Sequence, residues 1–147
     1  MATPGLGKGM FEISERLGRM PLARIIEPAV QLAREGVALN RLQAYIFQVV
    51  GPIYMSTKGS RRIFESKSRP GELIGEGELV TNPDFADLLE ILAIEGEDLF
   101  YRGEIAARID ADCQAGGGAL TRADLEAFSM ERRVPLELEY GGARVFT

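Results

Sequence analysis

Apolar residues recur at spacings of three and four along most of this sequence, and several of these runs end at a glycine. The first run extends from about Lys8 to Leu17 and is followed by Gly18. The spacing places the apolar side chains on one face of an α-helix, and glycine readily takes the left-handed conformation that follows a helix end. The sequence therefore predicts a mainly α fold built from short amphipathic helices.

Prolines interrupt the next two predicted helices. Pro21 suits the first position of a second helix, but Pro28 lies inside its apolar stripe, where a missing N–H and a clash with the preceding turn predict a kink or two short helices. A third helix begins after Asn40, in a capping box with the glutamine three residues later. We expect it to run to Gly51, because Pro52 discourages its continuation.

Helix signals continue through the second half of the chain. The run Thr81–Asp84 combines a polar cap, a proline and an acid, as at a helix N-terminus, and that helix should end at Gly96. The aromatic segment Leu99–Tyr101 should fill the gap between the flanking helices. Further helices are predicted over residues 104–115 and 121–128, the last with a capping box.

The tail changes from helical spacing to alternation. Val134–Tyr140 alternates apolar and polar residues, Gly141 and Gly142 turn, and Ala143–Phe146 resumes, which predicts a β-hairpin at about residues 134–147. A lone hairpin is marginal in water and needs a sheet or helix layer to pack on. Residues 1–147 are thus predicted to form a single helical domain with a short C-terminal β-hairpin.

Composition removes several classes of function. The chain has 17 Lys and Arg against 22 Asp and Glu, a net charge of −5, which disfavours nucleic acid and anionic membranes as partners. It has no histidine and only Cys113, which excludes His-dependent nucleophiles, His-ligated metals, zinc thiolate clusters and internal disulfides. No apolar run is long enough to span a bilayer, and the first nine residues have no signal-peptide core. We predict no metal and no cofactor.

Charge is segregated in the middle of the chain. Residues 56–70 contain five basic residues and one acid, and residues 72–98 contain nine acids and no basic residue. Solvated surface is the favoured interpretation of both blocks, over a binding site.

Three local features are candidates for chemistry. Gly5–Gly9 lacks the Ser or Thr and the preceding strand of a phosphate loop, and glycines approaching a helix packed closely against another backbone fit better. Glu95, Glu97 and Asp98 could provide paired carboxylates, but surface acids are favoured. Cys113 has no basic neighbour at helical spacing and fits a packed thiol.

An N-terminal nucleophile would need its own free α-amine as base. Removal of Met1 would expose Ala2, which has no nucleophile, and Thr147 lies at the opposite end. We therefore predict no catalytic, substrate-binding, cofactor-binding or metal-binding residue.

A series of short motifs nevertheless spans nearly the whole chain in a specific order. They are Ala2-Thr3-Pro4-Gly5, Leu17-Gly18-Arg19-Met20-Pro21-Leu22, Glu27–Gly36, Asn82–Ala86, Phe100–Ala106, Gly116–Thr121, Arg133–Leu136 and Tyr140-Gly141-Gly142. Together they resemble the large subunit of the γ-glutamyltranspeptidases. Residues 41–70 match least, and Leu22 stands where the family usually has tryptophan.

This resemblance implies an N-terminal-nucleophile hydrolase whose precursor cuts itself into a large and a small subunit. A threonine at the new N-terminus of the small subunit then attacks a γ-glutamyl amide, as in glutathione, and passes the acyl group to water or an amino acid. The freed α-amine would act as base and backbone N–H groups would stabilise the oxyanion. No metal or organic cofactor is implied.

The resemblance also implies that this chain is an internal, mostly helical fragment of the large subunit, excised from an αββα parent. The nucleophile and the arginine that holds the substrate carboxylate would lie outside it. Its partners would be the rest of its own large subunit and the small subunit, and it would scaffold the active site without activity of its own. An exposed hairpin edge leaves self-association of the isolated chain open.

Two alternatives remain at this stage. The chain could be a stand-alone helical interaction domain, or its parent could be a related amidohydrolase such as a cephalosporin acylase. The compartment is also open, since family members are often exported and any signal peptide would lie outside this chain.

Overall fold

The structure, a computed structural model, describes residues 2–147. Its helices and strands are α1 (Leu6–Leu17), α2 (Leu22–Glu35), β1 (Val37–Ala38), α3 (Arg41–Tyr54), α4 (Lys58–Phe64), β2 (Leu79–Val80), α5 (Pro83–Glu95), α6 (Asp98–Tyr101), α7 (Glu104–Ala115), α8 (Arg122–Ala127), β3 (Glu137–Tyr140) and β4 (Ala143–Phe146). The predicted fold class, mainly α with a short C-terminal hairpin, is confirmed. The chain divides into two compact units, Leu17–Gly96 and the residues up to Arg16 together with Glu97–Thr147.

In the unit Leu17–Gly96, α2 packs along α5. Ile26, Val30 and Ala86 are buried at the centre of this contact. The antiparallel pair β1–β2 aligns Val37 with Val80 and joins the end of α2 to the start of α5. This two-residue ladder was not predicted, because no alternation of apolar and polar residues marks so short a strand.

Helix α2 forms as one continuous helix, with one proline at its start and one inside it. Pro28 does not divide α2, which runs unbroken from Leu22 to Glu35 with Pro21 as its N-cap rather than its first residue. The buried Ile26 and Val30 flank the proline, so burial against α5 holds the helix together across the missing hydrogen bond.

The third helix also continues past its expected end at Gly51. Helix α3 includes Pro52 and ends at Tyr54, whose ring stacks on Phe64 of α4 with centroids 4.0 Å apart. Phe47 meets both rings edge to face. The packing of these three rings stabilises the last turn of α3, and this stabilisation outweighs the local cost of the proline.

Helix termini with a polar cap were predicted well. The Asn40 side chain accepts from the Gln43 N–H, and the Gln43 side chain accepts from the Asn40 N–H. Asn82 caps α5 through the Phe85 N–H, and Thr121 begins α8 in the expected capping box. The matching box at Thr57, which begins α4, was missed.

The other unit has its own core. Tyr101, Ala106 and Leu125 are buried together where α6, α7 and α8 meet, with Phe100 and Leu120 partly buried against them. Phe128 completes this cluster at the end of α8.

The C-terminal hairpin forms as predicted. Strand β3 pairs antiparallel with β4 from Glu137–Phe146 to Tyr140–Ala143. The turn glycines Gly141 and Gly142 have φ of 58° and 80°, the positive values that a type I′ turn requires. Every residue of both strands is exposed.

Among residues 2–147, no helix combines the length and apolar character needed to cross a membrane.

Candidate functional site

The glycine-rich segment at the start of the chain is anchored by a buried tyrosine. The hydroxyl of Tyr101 donates to the Pro4 carbonyl oxygen at 2.8 Å and accepts from the backbone N–H of Lys8 at 3.0 Å. Lys8 N is one of the first N–H groups of α1, which have no partner within the helix. Because Tyr101 is only 1 % exposed, its hydroxyl acts as a buried cap for a helix 93 residues away in sequence.

The Lys8 side chain is held at the same place. Its Nζ donates to the Phe128 carbonyl oxygen at 2.9 Å, lies 3.6 Å from Glu97 Oε1 and sits 4.9 Å from the centre of the Tyr101 ring. The side chain is 16 % exposed, so a carboxylate, a carbonyl and an aromatic face stabilise a largely buried ammonium group. This ammonium group ties the start of α1 to α6 and α8.

The glycines of this segment allow the close approach. A Cβ on Gly5 would lie 2.6 Å from Phe128 Cζ, and one on Gly9 would lie 3.3 Å from Met130 Cε. A Cβ on Gly7 would lie 3.4 Å from the Tyr101 hydroxyl oxygen, which is ordinary van der Waals contact. The close packing was expected against another backbone, but the neighbours are side chains.

Glu95 is the last residue of α5, and the other two carboxylates named as catalytic candidates are engaged in ion pairs. Glu97 faces Lys8, and Asp98 contacts Arg102 at 3.2 Å along α6. Both have a specific cationic neighbour, which gives them a structural role.

Cys113 lies half-buried in α7 and forms no disulfide. Its carbonyl oxygen accepts from the Gly118 N–H just after the helix. A Cβ on Gly118 would lie 3.3 Å from Cys113 Cβ. The cysteine is part of the close packing that ends α7.

The two charge blocks pair with each other in addition to being solvated. Arg62 contacts Asp84 at 3.0 Å, and Arg69 contacts Glu72 at 3.4 Å and Glu78 at 2.8 Å. The side chains of most of these residues are well exposed, so each pair contributes about 0–1 kcal/mol. The pairing was not predicted, because sequence separation does not indicate which charges meet.

Glu78 is the most strongly held carboxylate. It accepts from Ser66 Oγ at 2.6 Å, Ser68 Oγ at 2.9 Å, the Gly75 N–H at 2.8 Å and Arg69 Nη2 at 2.8 Å. The hydrogen bond from Ser66, then those from Gly75 and Ser68, lower the pKa of Glu78 to about 2. These contacts close the loop between α4 and β2. The sequence offered one signal for these contacts, the two serines Ser66 and Ser68 just before Arg69. No sequence pattern connected them with Glu78.

An apolar groove lies between α2 and α5. Its volume is about 460 Å³, and Ile26, Val30 and Ala93 form part of its lining. At its edge, Arg24 pairs with Glu27 at 2.8 Å. The groove lacks the convergent, unpaired polar groups that orient a substrate.

The described part of the chain thus uses its polar groups for internal contacts. In residues 2–147, every buried side-chain nitrogen or oxygen has a hydrogen-bond partner. No group of three or more Cys, Asp or Glu residues in that range could hold a metal ion. The arrangement can support and position chain segments, and its best-defined site is the Tyr101–Lys8 anchor.

Comparison with known families extends over the whole chain. The family model described as gamma-glutamyltranspeptidase matches residues 1–147. The glutathione hydrolase proenzyme of Escherichia coli K12 is 32% identical over 146 residues, covering 99% of this chain and 25% of that protein. The acylase ACY 1 proenzyme of Pseudomonas sp. SE83 is 29% identical, with the same two coverages. The chain therefore spans about a quarter of the length of these relatives.

Solved structures give the same result. The Helicobacter pylori gamma-glutamyltranspeptidase superposes with a TM-score of 0.88 at 28% identity, over 99% of this chain and 41% of that one. The cephalosporin acylase from Bacillus halodurans superposes with a TM-score of 0.81 at 28% identity, over 99% of this chain and 28% of that one.

Proposed function

The chain belongs to the gamma-glutamyltranspeptidase family, and we propose that it serves as part of an enzyme that transfers or hydrolyses γ-glutamyl groups. The observation that carries the proposal is the match over 99% of the chain, at a TM-score of 0.88, to a gamma-glutamyltranspeptidase. Residues 1–147 would form the central, mainly helical part of the large subunit. In this proposal the chain is one part of a longer enzyme that has the αββα architecture of the N-terminal-nucleophile hydrolases.

The proposed chemistry takes place on residues outside this chain. A threonine hydroxyl oxygen attacks the γ-carbonyl carbon of a glutathione-type amide, and the threonine's own α-amine accepts the hydroxyl proton. The amine of the substrate leaves with a proton, and a γ-glutamyl ester remains on the threonine. Water or an amino acid amine then takes the acyl group. Backbone N–H groups stabilise each oxyanion.

The role proposed for this chain is a scaffold without turnover of its own. The Tyr101 hydroxyl, the Lys8 ammonium and the Glu78 carboxylate are all engaged in contacts within the chain. These groups support the position of segments, and the scaffold would present those segments to the rest of the large subunit and to the small subunit.

The test compares the natural gene product with the isolated chain. We expect the gene product, purified from its source cells, to separate into two chains on intact-mass analysis, the smaller beginning with threonine. It should release the aniline from a γ-glutamyl anilide, and the purified 147-residue chain should not.

Each part of this proposal has its own refutation. Turnover by the purified chain would overturn the scaffold role. A natural product of a single chain of 16.1 kDa without turnover would overturn the enzyme assignment in favour of a stand-alone interaction domain.

A second activity has specific support, because acylases appear among both the relatives and the solved structures at 28–29% identity. If the parent is a cephalosporin acylase, the natural gene product should release the acyl side chain of a cephalosporin faster than it cleaves a γ-glutamyl anilide. The reverse preference would refute the acylase assignment.

A further inference from the structure

A groove beside helix α4 is lined mainly by basic side chains. Its volume is about 440 Å³, and its lining includes four cations, Lys58, Arg61, Arg62 and Lys67, together with one acid, Glu65. The lining therefore has a net charge of +3, on a chain whose net charge is −5. We call this pocket the basic groove.

Helix α4 holds like charges together in this groove. Lys58, Arg61 and Arg62 are spaced by three and one positions, so their side chains share one face of the helix. Like charges one turn apart destabilise a helix. Phe64 stacks on Tyr54 of α3, which fixes the rotation of α4 and keeps the basic face in the groove. A bound anion would relieve this repulsion.

Three of the four cations have no carboxylate partner. Most Lys and Arg side chains in residues 2–147 form an ion pair, but Lys58, Arg61 and Lys67 form none within that range. Arg62 pairs with Asp84 at 3.0 Å, and the two side chains are 74 % and 72 % exposed, so this pair is weak. The charge of the groove is therefore left largely uncompensated.

Internal contacts prepare the groove for an anion. Arg61 Nε donates to the Met55 carbonyl oxygen at 2.7 Å, which orients the guanidinium group and leaves its two terminal nitrogens available as a paired donor. The Glu65 carboxylate already accepts a backbone N–H at 2.7 Å. Lys67 Nζ contacts a hydroxyl oxygen, Thr81 Oγ1, at 3.3 Å, and so keeps donors for a ligand.

The loop that follows α4 forms part of the wall and is held firmly. Ser66 and Pro70 line the groove, and Ser66 is 2 % exposed. Its hydroxyl donates to Glu78 at 2.6 Å, and Glu78 also binds Arg69 at 2.8 Å. A site that is formed before its ligand arrives loses less free energy to ordering on binding.

The groove lies where the chain least resembles its family. The motifs that the chain shares with the gamma-glutamyltranspeptidases lie before residue 37 or after residue 76, and α4 lies between them. A surface that joins the parts of every enzyme in a family should be formed by shared segments. We therefore expect the basic groove to stay open when the chain is joined to the rest of its enzyme.

We propose that the basic groove binds a small anion that carries two or more oxyanion groups, phosphate or carboxylate. Guanidinium and ammonium donors suit both groups. Because Lys58 and Arg62 lie one turn apart on α4, they can contact different groups of one ligand. A net charge of +3 favours a multivalent anion over a monovalent one. The proposal concerns binding alone, so its test does not depend on the proposed γ-glutamyl chemistry.

The test is isothermal titration calorimetry of the purified chain at low ionic strength. Pyrophosphate and citrate are the two probes, and acetate, with one carboxylate, is the control. At least one probe should bind with a dissociation constant of about 10 µM to 1 mM and should bind more weakly as salt is added. The tighter probe identifies the preferred oxyanion group. No saturable binding of either probe, or equally tight binding of acetate, would overturn the proposal.

A pair of double variants locates the site. Lys58→Gln, Lys67→Gln should weaken binding of the tighter probe by ~10-fold or more. Arg19→Gln, Arg108→Gln removes the same charge from two exposed cations outside the groove, and should change the dissociation constant by less than about 2-fold. All four positions are exposed, so the far-UV circular dichroism should stay unchanged. Equal weakening by the two double variants would show that only net charge matters and would overturn the site.

Two further measurements keep the proposal testable if a variant disturbs the fold. Glu65→Gln removes the one acid of the lining but keeps an acceptor for the backbone N–H, and should tighten binding by about 3-fold, which damage to the fold cannot do. Unchanged or weaker binding would contradict the proposed site. The natural gene product should bind the same probe. Binding by the isolated chain alone would mean that the rest of the enzyme covers the groove, and the proposal would fail.

Discussion

Tyr101→Phe removes a single oxygen and two long-range hydrogen bonds. The ring stays in its apolar cluster, so the cost arises from the Pro4 carbonyl and the Lys8 N–H, which lose partners at 2.8 and 3.0 Å. A buried donor or acceptor left without a partner costs about 1–3 kcal/mol. Two such groups together would cost about 2–6 kcal/mol. Because water can reach part of this segment, we expect the lower end of that range, a loss of about 2–3 kcal/mol in the free energy of unfolding.

The assay is urea unfolding followed by far-UV circular dichroism. For a domain of this size the expected loss corresponds to a fall of about 5–10 °C in Tm. The denaturant slope should not change, because the surface exposed on unfolding stays the same.

Tyr140→Phe is the matched control. It removes the same atom from a side chain that is 77 % exposed on the hairpin, and its effect should stay within about 0.5 kcal/mol. If Tyr101→Phe also stays within that range, the tyrosine is only a packing residue and its role as a distant helix cap is wrong.

Three further predictions concern other contacts of the two units. Glu78 has a folded-state pKa of about 2 against an ordinary 4.5, so its stabilising effect is complete above pH 4.5 and is lost as the pH falls toward 2. Glu78→Gln should lower the urea midpoint at pH 7 and flatten its dependence over that acid range, and an unchanged acid slope would contradict the reasoning. Gly5→Ala should cost about 1–3 kcal/mol because its Cβ would meet the Phe128 ring at 2.6 Å. Gly59→Ala, in the more open helix α4, should instead stabilise by about 0.5–1 kcal/mol, and thermal melts that rank the two glycines the other way would refute the contact. Leu125→Ala should cost about 2–5 kcal/mol, since the side chain is fully buried. A Tm within about 2 °C of that of the unsubstituted chain would refute the core that Leu125 forms with Tyr101 and Ala106.

Local signals predicted the helices that begin with their own cap. Asn40, Asn82 and Thr121 each bind an N–H three residues later, so the information lies within one turn of chain. Helix α2 continues past Pro28, and α3 continues past its expected end at Gly51, because the energy that sustains those helices comes from α5 and from Phe64, far along the sequence. Local proline rules apply only where packing does not override them.

The Tyr101–Lys8 anchor and the Glu78 contacts that close the loop between α4 and β2 escaped prediction for the same reason. Tyr101 was expected in the core, but no pattern connects its hydroxyl to Pro4. Glu78 was counted among surface acids, although it gathers four donors. Family membership was visible because many weak motifs lie in one order over the chain, and a long ordered series is specific where a single motif is not.

The cap that Tyr101 provides has a consequence for synthesis. The chain is made from its N-terminus, and Lys8 precedes Tyr101 by 93 residues. At about 5–20 residues per second, α1 waits about 5–20 s on the ribosome for the hydroxyl that completes its first turn. The contiguous segment Leu17–Gly96 meets all its own contacts earlier. Folding in the cell should therefore begin in the segment Leu17–Gly96, and the unit formed by the two ends of the chain should complete last.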